Sequence, residues 1–166
     1  QDTPELDKLN LEESRTHNQP GDRPDLNSST PVKSGSFAAG NGWQEVSFQT
    51  LKARYLALEI LSAHSSNDES AIAEIYACGK NGERLSREPW TVKYADSEDI
   101  LRGNYTADKV FDLQESTYWC TVPGAAFPHL LVIDLGEEVE LSGLEYLPRA
   151  EPGAPGCIRE YKIYLY

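Results

Sequence analysis

From Gly35 onward the chain is written in short apolar runs broken by turn residues, and this pattern constrains its fold more than anything else in it. Residues 43–49 alternate, with Val46 and Phe48 on one side. Residues 54–61 place Leu56, Leu58 and Ile60 on one face and Tyr55, Ala57 and Glu59 on the other. Residues 71–78 form a third run, closed by Gly79, Asn81 and Gly82, and Asn-Gly is a strong turn dipeptide. Residues 90–94 set Trp90, Val92 and Tyr94 in register. Residues 130–135 are almost continuously apolar and stop at Gly136, and residues 141–147 follow and stop at Pro148. Residues 159–166 alternate again, with Tyr161, Ile163 and Leu165 together. Period two with turn punctuation predicts an all-β sandwich or barrel. Residues 106–111 are the one helical candidate, with Thr106 as cap and Val110 and Phe111 docking it on the core. Trp43 and Trp90 read as core residues.

A chain of 166 residues suits one domain. Its 27 acids and 15 bases give a net charge of −12, which disfavours nucleic acid and anionic membranes as partners. The longest apolar stretch, residues 130–133, is far too short for membrane insertion. Residues 1–34 are rich in Asp, Glu, Asn, Pro and Ser and lack Phe, Tyr and Trp. Leu6, Leu9, Leu11 and Leu26 are too few to build a buried face, so this segment reads as a flexible leader before a folded unit spanning residues 35–166. A chain that opens on Gln1 fits a removed secretory signal, and it fits any other processed or cloned boundary as well.

Catalytic patterns are missing from the sequence. A nucleophile needs a base and an orienting group. His17 lies in the leader, His64 in a polar loop and His129 behind Pro128, and there is no GxSxG or HExxH. The expectation is a non-enzyme. Asp96, Glu98 and Asp99 form an acidic loop. Cys78, Cys120 and Cys157 show no CxxC spacing, which disfavours zinc.

An ordered set of short motifs fills the second half. They are Ala107-x-x-Val110-Phe111-Asp112, Thr117-Tyr118-Trp119-x-Thr121, Pro128-His129, Val132-Ile133-Asp134-Leu135-Gly136, Gly143-Leu144-x-Tyr146-Leu147-Pro148-Arg149 and Gly156-x-Ile158-x-x-Tyr161-x-Ile163-Tyr164. Together they resemble the first half of the discoidin family, also called the coagulation factor V/VIII type C domain. Its bacterial sugar-binding members are family 32 carbohydrate-binding modules. The family's second half resembles segments upstream: Pro31-Val32-x-x-Gly35-x-Phe37, Val46-x-Phe48, Ala53-Arg54-Tyr55-Leu56-x-Leu58 and Ala71-Ile72-Ala73-Glu74-Ile75. The resemblance implies a galactose-binding-domain-like jelly-roll sandwich with one short helix, written in circularly permuted order. Residues 35–78 would supply the family's C-terminal half, 79–89 a linker and 90–166 its N-terminal half. Termini of compact domains often lie close enough for such a rearrangement. The other reading is two pieces of tandem modules, completed by an exchanged dimer rather than a monomer.

The resemblance also implies sites. Of the family's sugar-binding side chains this sequence keeps Arg149. The family's His after the Trp is Cys120 here, and a later basic position is Cys157. Tyr118 or Phe127 would supply an aromatic platform, and Asp96 and Glu98 acidic hydrogen-bonding groups. Residues that converge on one sugar in relatives lie close, so a Cys120–Cys157 disulfide is expected, with two unconnected buried thiols as the alternative. Cys78 reads as a buried free thiol. A structural calcium would fall to Asp112, Gln114, Thr117 and Glu74, or Asp112 would simply cap local N–H groups. The implied function is a non-catalytic carbohydrate-binding or adhesion module of a secreted, periplasmic or cell-surface protein, with a galactose-type or other glycan as partner. The alternative is a protein-interaction or spacer module whose sugar site is degenerate.

Overall fold

The alternating runs are strands, and two pairs of runs merge into single long strands. The structure is a computed structural model, and it describes residues 23–166. The strands are β1 (Lys33–Ser36), β2 (Gln44–Ile60), β3 (Ala71–Ile72), β4 (Glu74–Cys78), β5 (Thr91–Ala95), β6 (Trp119–Cys120), β7 (His129–Leu147) and β8 (Glu160–Leu165). The main sheet runs β1-β8-β2-β7-β4, with β5 also on β7, and every pair is antiparallel. A small second sheet pairs β3 with β6. Antiparallel sheets with one short helical turn make the expected all-β sandwich.

Length and irregularity make β2 and β7 the frame. They pair along their whole lengths, with register breaks between Ser47 and Leu51 and between Ala53 and Tyr55. Such bulges bend a strand and raise its twist. β4 takes one end of β7, at residues 143–147, and β5 takes the other, at residues 131–134. Inward residues from both ends belong to one core: Val46, Ile75, Leu144 and Tyr146 join Leu56, Leu58, Ile60, Leu131, Ile133 and Ile163. The predicted faces of residues 54–61 hold, because the opposite face of β2 carries Ala57 and Tyr55 in a second apolar cluster with Tyr94, Leu130, Val132 and Tyr164.

Several expectations need correction. Gly136 does not end a strand; β7 passes through it at φ +87°, beside Pro89. Tyr94 is not in register with Trp90 and Val92, because a break between Val92 and Tyr94 turns it to the second cluster. Trp90 and Trp119 are buried, but Trp43 is half-exposed. The expected leader ends earlier than residue 34. The Arg23 guanidinium lies 5.7 Å over the Tyr94 ring, Leu26 packs on the second cluster and the Val32 N–H donates to Ile163 O at 2.8 Å. Residues 1–22 of that leader lie outside the described residues. The expected linker, residues 79–89, is part of the fold too. It opens with the Asn81-Gly82 turn, returns along β4 through Leu85 N–H to Ala77 O at 2.9 Å, and then buries Arg87.

The short helix is a single 3-10 turn, Ala107–Phe111, and Val110 is fully buried. Thr106 does not cap it with its side chain; its hydroxyl bonds the Asp108 carboxylate, while the Ala107 N–H donates to Glu98 at 2.7 Å. The strands of residues 33–78 and those of residues 91–165 pair within one chain.

Candidate functional site

At one end of the sandwich the β3–β6 patch gathers loops from both halves of the chain. Ala71 pairs with Cys120 and Ile72 with Trp119. The Thr121 N–H donates to Ser70 O, and the Ser70 N–H to Thr121 Oγ1, both at 2.9 Å. Tyr146 locks this patch from below: its hydroxyl donates to Ala71 O at 2.9 Å and accepts from the Ile158 N–H at 3.1 Å. Burial raises that phenol well above its ordinary pKa, so it stays a donor. The Trp119 indole is satisfied by Ser97 O at 2.8 Å, as a buried Trp requires.

On this base sits a cluster of charged and aromatic groups. Glu69 immediately precedes the patch and is fully buried. Asp68 reaches φ +54° there, and the Asn67 side chain accepts from the Glu69 N–H at 3.2 Å. From the other half comes the loop of residues 96–105, held to β6 by Asp99 N–H to Cys120 O at 2.9 Å and Cys120 N–H to Tyr105 O at 3.2 Å. Asp99 Oδ1 accepts from the N–H groups of Leu101 (3.1 Å) and Arg102 (3.3 Å), a turn that brings the Arg102 side chain back over Asp99. Arg102 then donates to both Asp99 and Glu69. Arg149 follows β7 and Pro148. Its guanidinium lies 4.2 Å over the Tyr118 ring, with Nη1 3.8 Å from Glu69 Oε1 and Nε 3.6 Å from Glu151. Tyr118 stacks on Tyr105 at 4.7 Å and 15°. Burial and the Tyr105 hydroxyl raise the Tyr118 phenol, while Arg149 pulls it down.

Two polar atoms in this cluster are buried without a hydrogen-bond partner: Glu69 Oε1 and Arg149 Nε. An unpaired buried polar group costs about 1–3 kcal/mol. Each of the two atoms is held instead by a longer ion pair, Glu69 Oε1 to Arg149 and Arg149 Nε to Glu151. The half-exposed Arg102 guanidinium beside the Tyr105–Tyr118 stack offers the N–H groups and aromatic surface that suit a polyhydroxylated ligand.

The expected site residues are only partly brought together. Arg149 and Tyr118 meet here. Phe127 packs against the core, its ring 4.8 Å from His129. Asp96 bonds the His129 ring and the Leu130 N–H, each at 2.8 Å. Glu98 is fully buried and holds the start of the 3-10 turn, so its carboxylate is not on the surface. Glu69, Arg102 and Tyr105 escaped the sequence reading. Nothing in a polar loop repeats with a period, and only the ladder contacts of Ser70 and Asp99 show that these loops meet.

The disulfide expectation is overturned: Cys78, Cys120 and Cys157 are all free thiols. Cys120 Sγ instead accepts from Arg102 at 3.6 Å, and Cys157 donates to Ala38 O at 3.5 Å. Burial, reinforced by the Glu69 charge, pushes the Cys120 thiol up to about 12, so it stays protonated. Cys78 is half-buried rather than buried, and burial with Glu145 raises it to about 11.

The expected calcium residues do gather. Thr117 donates to Asp112 and to Gln114 O, the latter at 3.1 Å, and the Gln114 N–H donates to Asp112 at 3.0 Å. Glu74 is buried and paired with Arg87, which also donates to the carbonyls of Ile75 (3.1 Å) and Val110 (3.3 Å). Glu74 Oε1 is left without a partner. Burial pushes this carboxyl up to about 7; Arg87 opposes that rise and Asp112 adds to it. A buried carboxyl with an orphaned oxygen beside a second carboxyl fits a cation. No group of three or more Asp, Glu, His or Cys side chains arranged to hold a metal ion occurs among the described residues, so carbonyl oxygens would have to complete the shell.

Comparison with known proteins agrees with the resemblance. The F5/8 type C domain model matches residues 93–166. A sialidase of Micromonospora viridifaciens is 33% identical over 86 residues, which is 48% of this chain and 13% of that protein. A galactose oxidase of Gibberella zeae is 30% identical over 88 residues, 51% of this chain and 12% of that protein. The chain thus spans about an eighth of the length of these relatives.

Proposed function

We propose that this chain, an F5/8 type C domain over residues 93–166, is a non-catalytic module that binds carbohydrate at the Glu69–Arg102–Tyr118–Arg149 cluster. The family comprises carbohydrate-binding and protein-interaction modules. The observation that carries the reading is the gathering of Arg149, the half-exposed Arg102 and the stacked Tyr105–Tyr118 pair around the buried Glu69. Arg102 would donate to a sugar hydroxyl, and the Tyr105–Tyr118 stack would offer aromatic surface to the ring. Single sites of this kind bind near the millimolar level, about −4 kcal/mol, and gain avidity by multivalency.

A glycan array tests it, with the wild type beside Arg149→Ala and Tyr118→Ala. Retention of a glycan that both variants lose supports the reading, and no retained glycan on any array sinks it. The alternative, a protein-interaction or spacer module, draws on the internal pairing of Arg102 and Arg149 with the chain's own carboxylates. The reading includes a structural cation held by Asp112, Thr117 and Glu74 with backbone carbonyls. Bound there, it would neutralise two facing carboxyls and stiffen the loop. Placement outside the cytosol rests on the family resemblance.

A further inference from the structure

We infer that the site selects against carboxylated sugars, because Glu69 already occupies its guanidinium groups as an internal carboxylate. The inference rests on the carbohydrate-binding reading and deepens it: the ligand is a neutral or amino sugar rather than an acidic one.

The argument starts from who holds each arginine. A guanidinium recognises a ligand carboxylate by offering unpaired N–H groups in a planar fork. Arg102 spends its Nε on Asp99 and one Nη on Glu69. Arg149 faces Glu69 through Nη1 and Glu151 through Nε. Three carboxylates thus surround two guanidinium groups, and the cluster is net negative. Glu69 is fully buried between them, so it cannot swing into water to make room. A fourth carboxylate would have to displace it or sit beside it, and either route adds like-charge repulsion in a partly desolvated site. A hydroxyl faces no such penalty. The half-exposed Arg102 side chain keeps outer N–H groups for a hydroxyl oxygen. An ammonium group is compatible with the excess of carboxylates. This is specificity by a built-in repulsive element as well as an attractive one.

Matched sugars test the inference on the wild-type chain. For the gluco, galacto and manno rings, the methyl pyranoside, the 2-amino sugar, the uronate and the uronate methyl ester are titrated by amide chemical shift. In at least one series the neutral or amino sugar should give saturable shifts at Tyr118 and Arg149. The uronate of that series should bind at least tenfold more weakly, and its uncharged methyl ester should recover most of the loss. A uronate that binds as tightly as its neutral parent overturns the inference and leaves the carbohydrate-binding reading standing. If no series binds, that reading and this inference fall together. Glu69→Gln, checked for an intact amide spectrum, should narrow the gap between neutral sugar and uronate at least tenfold. An unchanged ratio in the folded variant means that Glu69 is not what excludes the acid.

Discussion

Arg87 is the residue whose replacement should cost the fold most for its size. It lies in a stretch that reads as a linker, yet its side chain is only 2% exposed and so is that of Glu74. Its Nη1 serves the Glu74 carboxylate and the carbonyls of Ile75 and Val110, and its guanidinium lies 3.7 Å from the Tyr76 ring. In Arg87→Met the two carbonyls lose a partner, at about 1–3 kcal/mol each. That is offset by relief of Nε and Nη2, which are buried without partners in the native fold. What remains is a buried carboxyl stripped of its cation, worth about 3–5 kcal/mol. The pH dependence has a definite sign. Burial raises the folded Glu74 carboxyl from 4.5 to about 7, so its contribution is fully present below 4.5 and is lost as pH rises through about 7. In the wild type that loss stops there, because Arg87 accepts the ionised form. In the variant it continues at up to about 1.4 kcal/mol per pH unit. Urea unfolding in EDTA at pH 5.5 and 8.5 reads both effects. The penalty should reach about 3–5 kcal/mol at pH 8.5 and be about 2 kcal/mol smaller at pH 5.5. Adding Glu74→Gln should remove the pH dependence. A penalty below about 1 kcal/mol at pH 8.5, or one equal at both pH values, would refute the reasoning.

Calcium should raise the melting temperature of the metal-free chain, and Asp112→Asn should abolish the shift; scanning calorimetry with and without EDTA reads both, and no shift removes the cation from the reading. Gly136→Ala should destabilise by at least about 1–3 kcal/mol in urea unfolding, because φ is +87° and a Cβ would lie 2.7 Å from Pro89 Cβ and 2.8 Å from its carbonyl oxygen; an unchanged midpoint contradicts that contact. All three cysteines should be alkylated in denaturant without reductant, as mass spectrometry would show. The start of β1 pairs with β8 at Lys33 and Ile163. A chain reordered as residues 84–166, a flexible link of about ten residues and residues 23–78 should therefore fold with the same amide spectrum, as a permuted domain would; an unfolded product argues against the permutation.

The strands were legible because burial on one face imposes period two, and residues 56–60 and 159–166 keep that period without interruption. What the pattern hid was continuity. Gly136 interrupts the apolar alternation of β7, and residues 48–50 interrupt that of β2, so each long strand reads as two. A bulge shifts side chains by one face without changing composition, which is why Tyr94 looks like a partner of Trp90 and packs on the other side of the sheet. The cysteines misled for a different reason. Two positions can approach the same ligand from different directions and still never bridge, since a disulfide also needs their Cβ vectors to converge.

The site was the least legible part because its chemistry is divided between halves that lie far apart in sequence. Arg149 could be found through a motif, but its meaning depends on Glu69, which precedes it by 80 residues and comes from the other half. Glu69 taken alone is one acid in a polar loop, and Arg102 taken alone is one base in another. Each acquires a role only when β3 meets β6, because that pairing buries the carboxylate and sets the two guanidinium groups against it. The same holds for Arg87, which becomes a counter-ion only when residues 84–87 return along β4 to Glu74. In both places a charge enters the interior only with a partner supplied by another segment, as the cost of burying it alone requires. The electrostatic pairs therefore record which segments must fold together. The Glu69 and Arg149 pair joins the two halves directly, so weakening it should loosen the sandwich as well as the site.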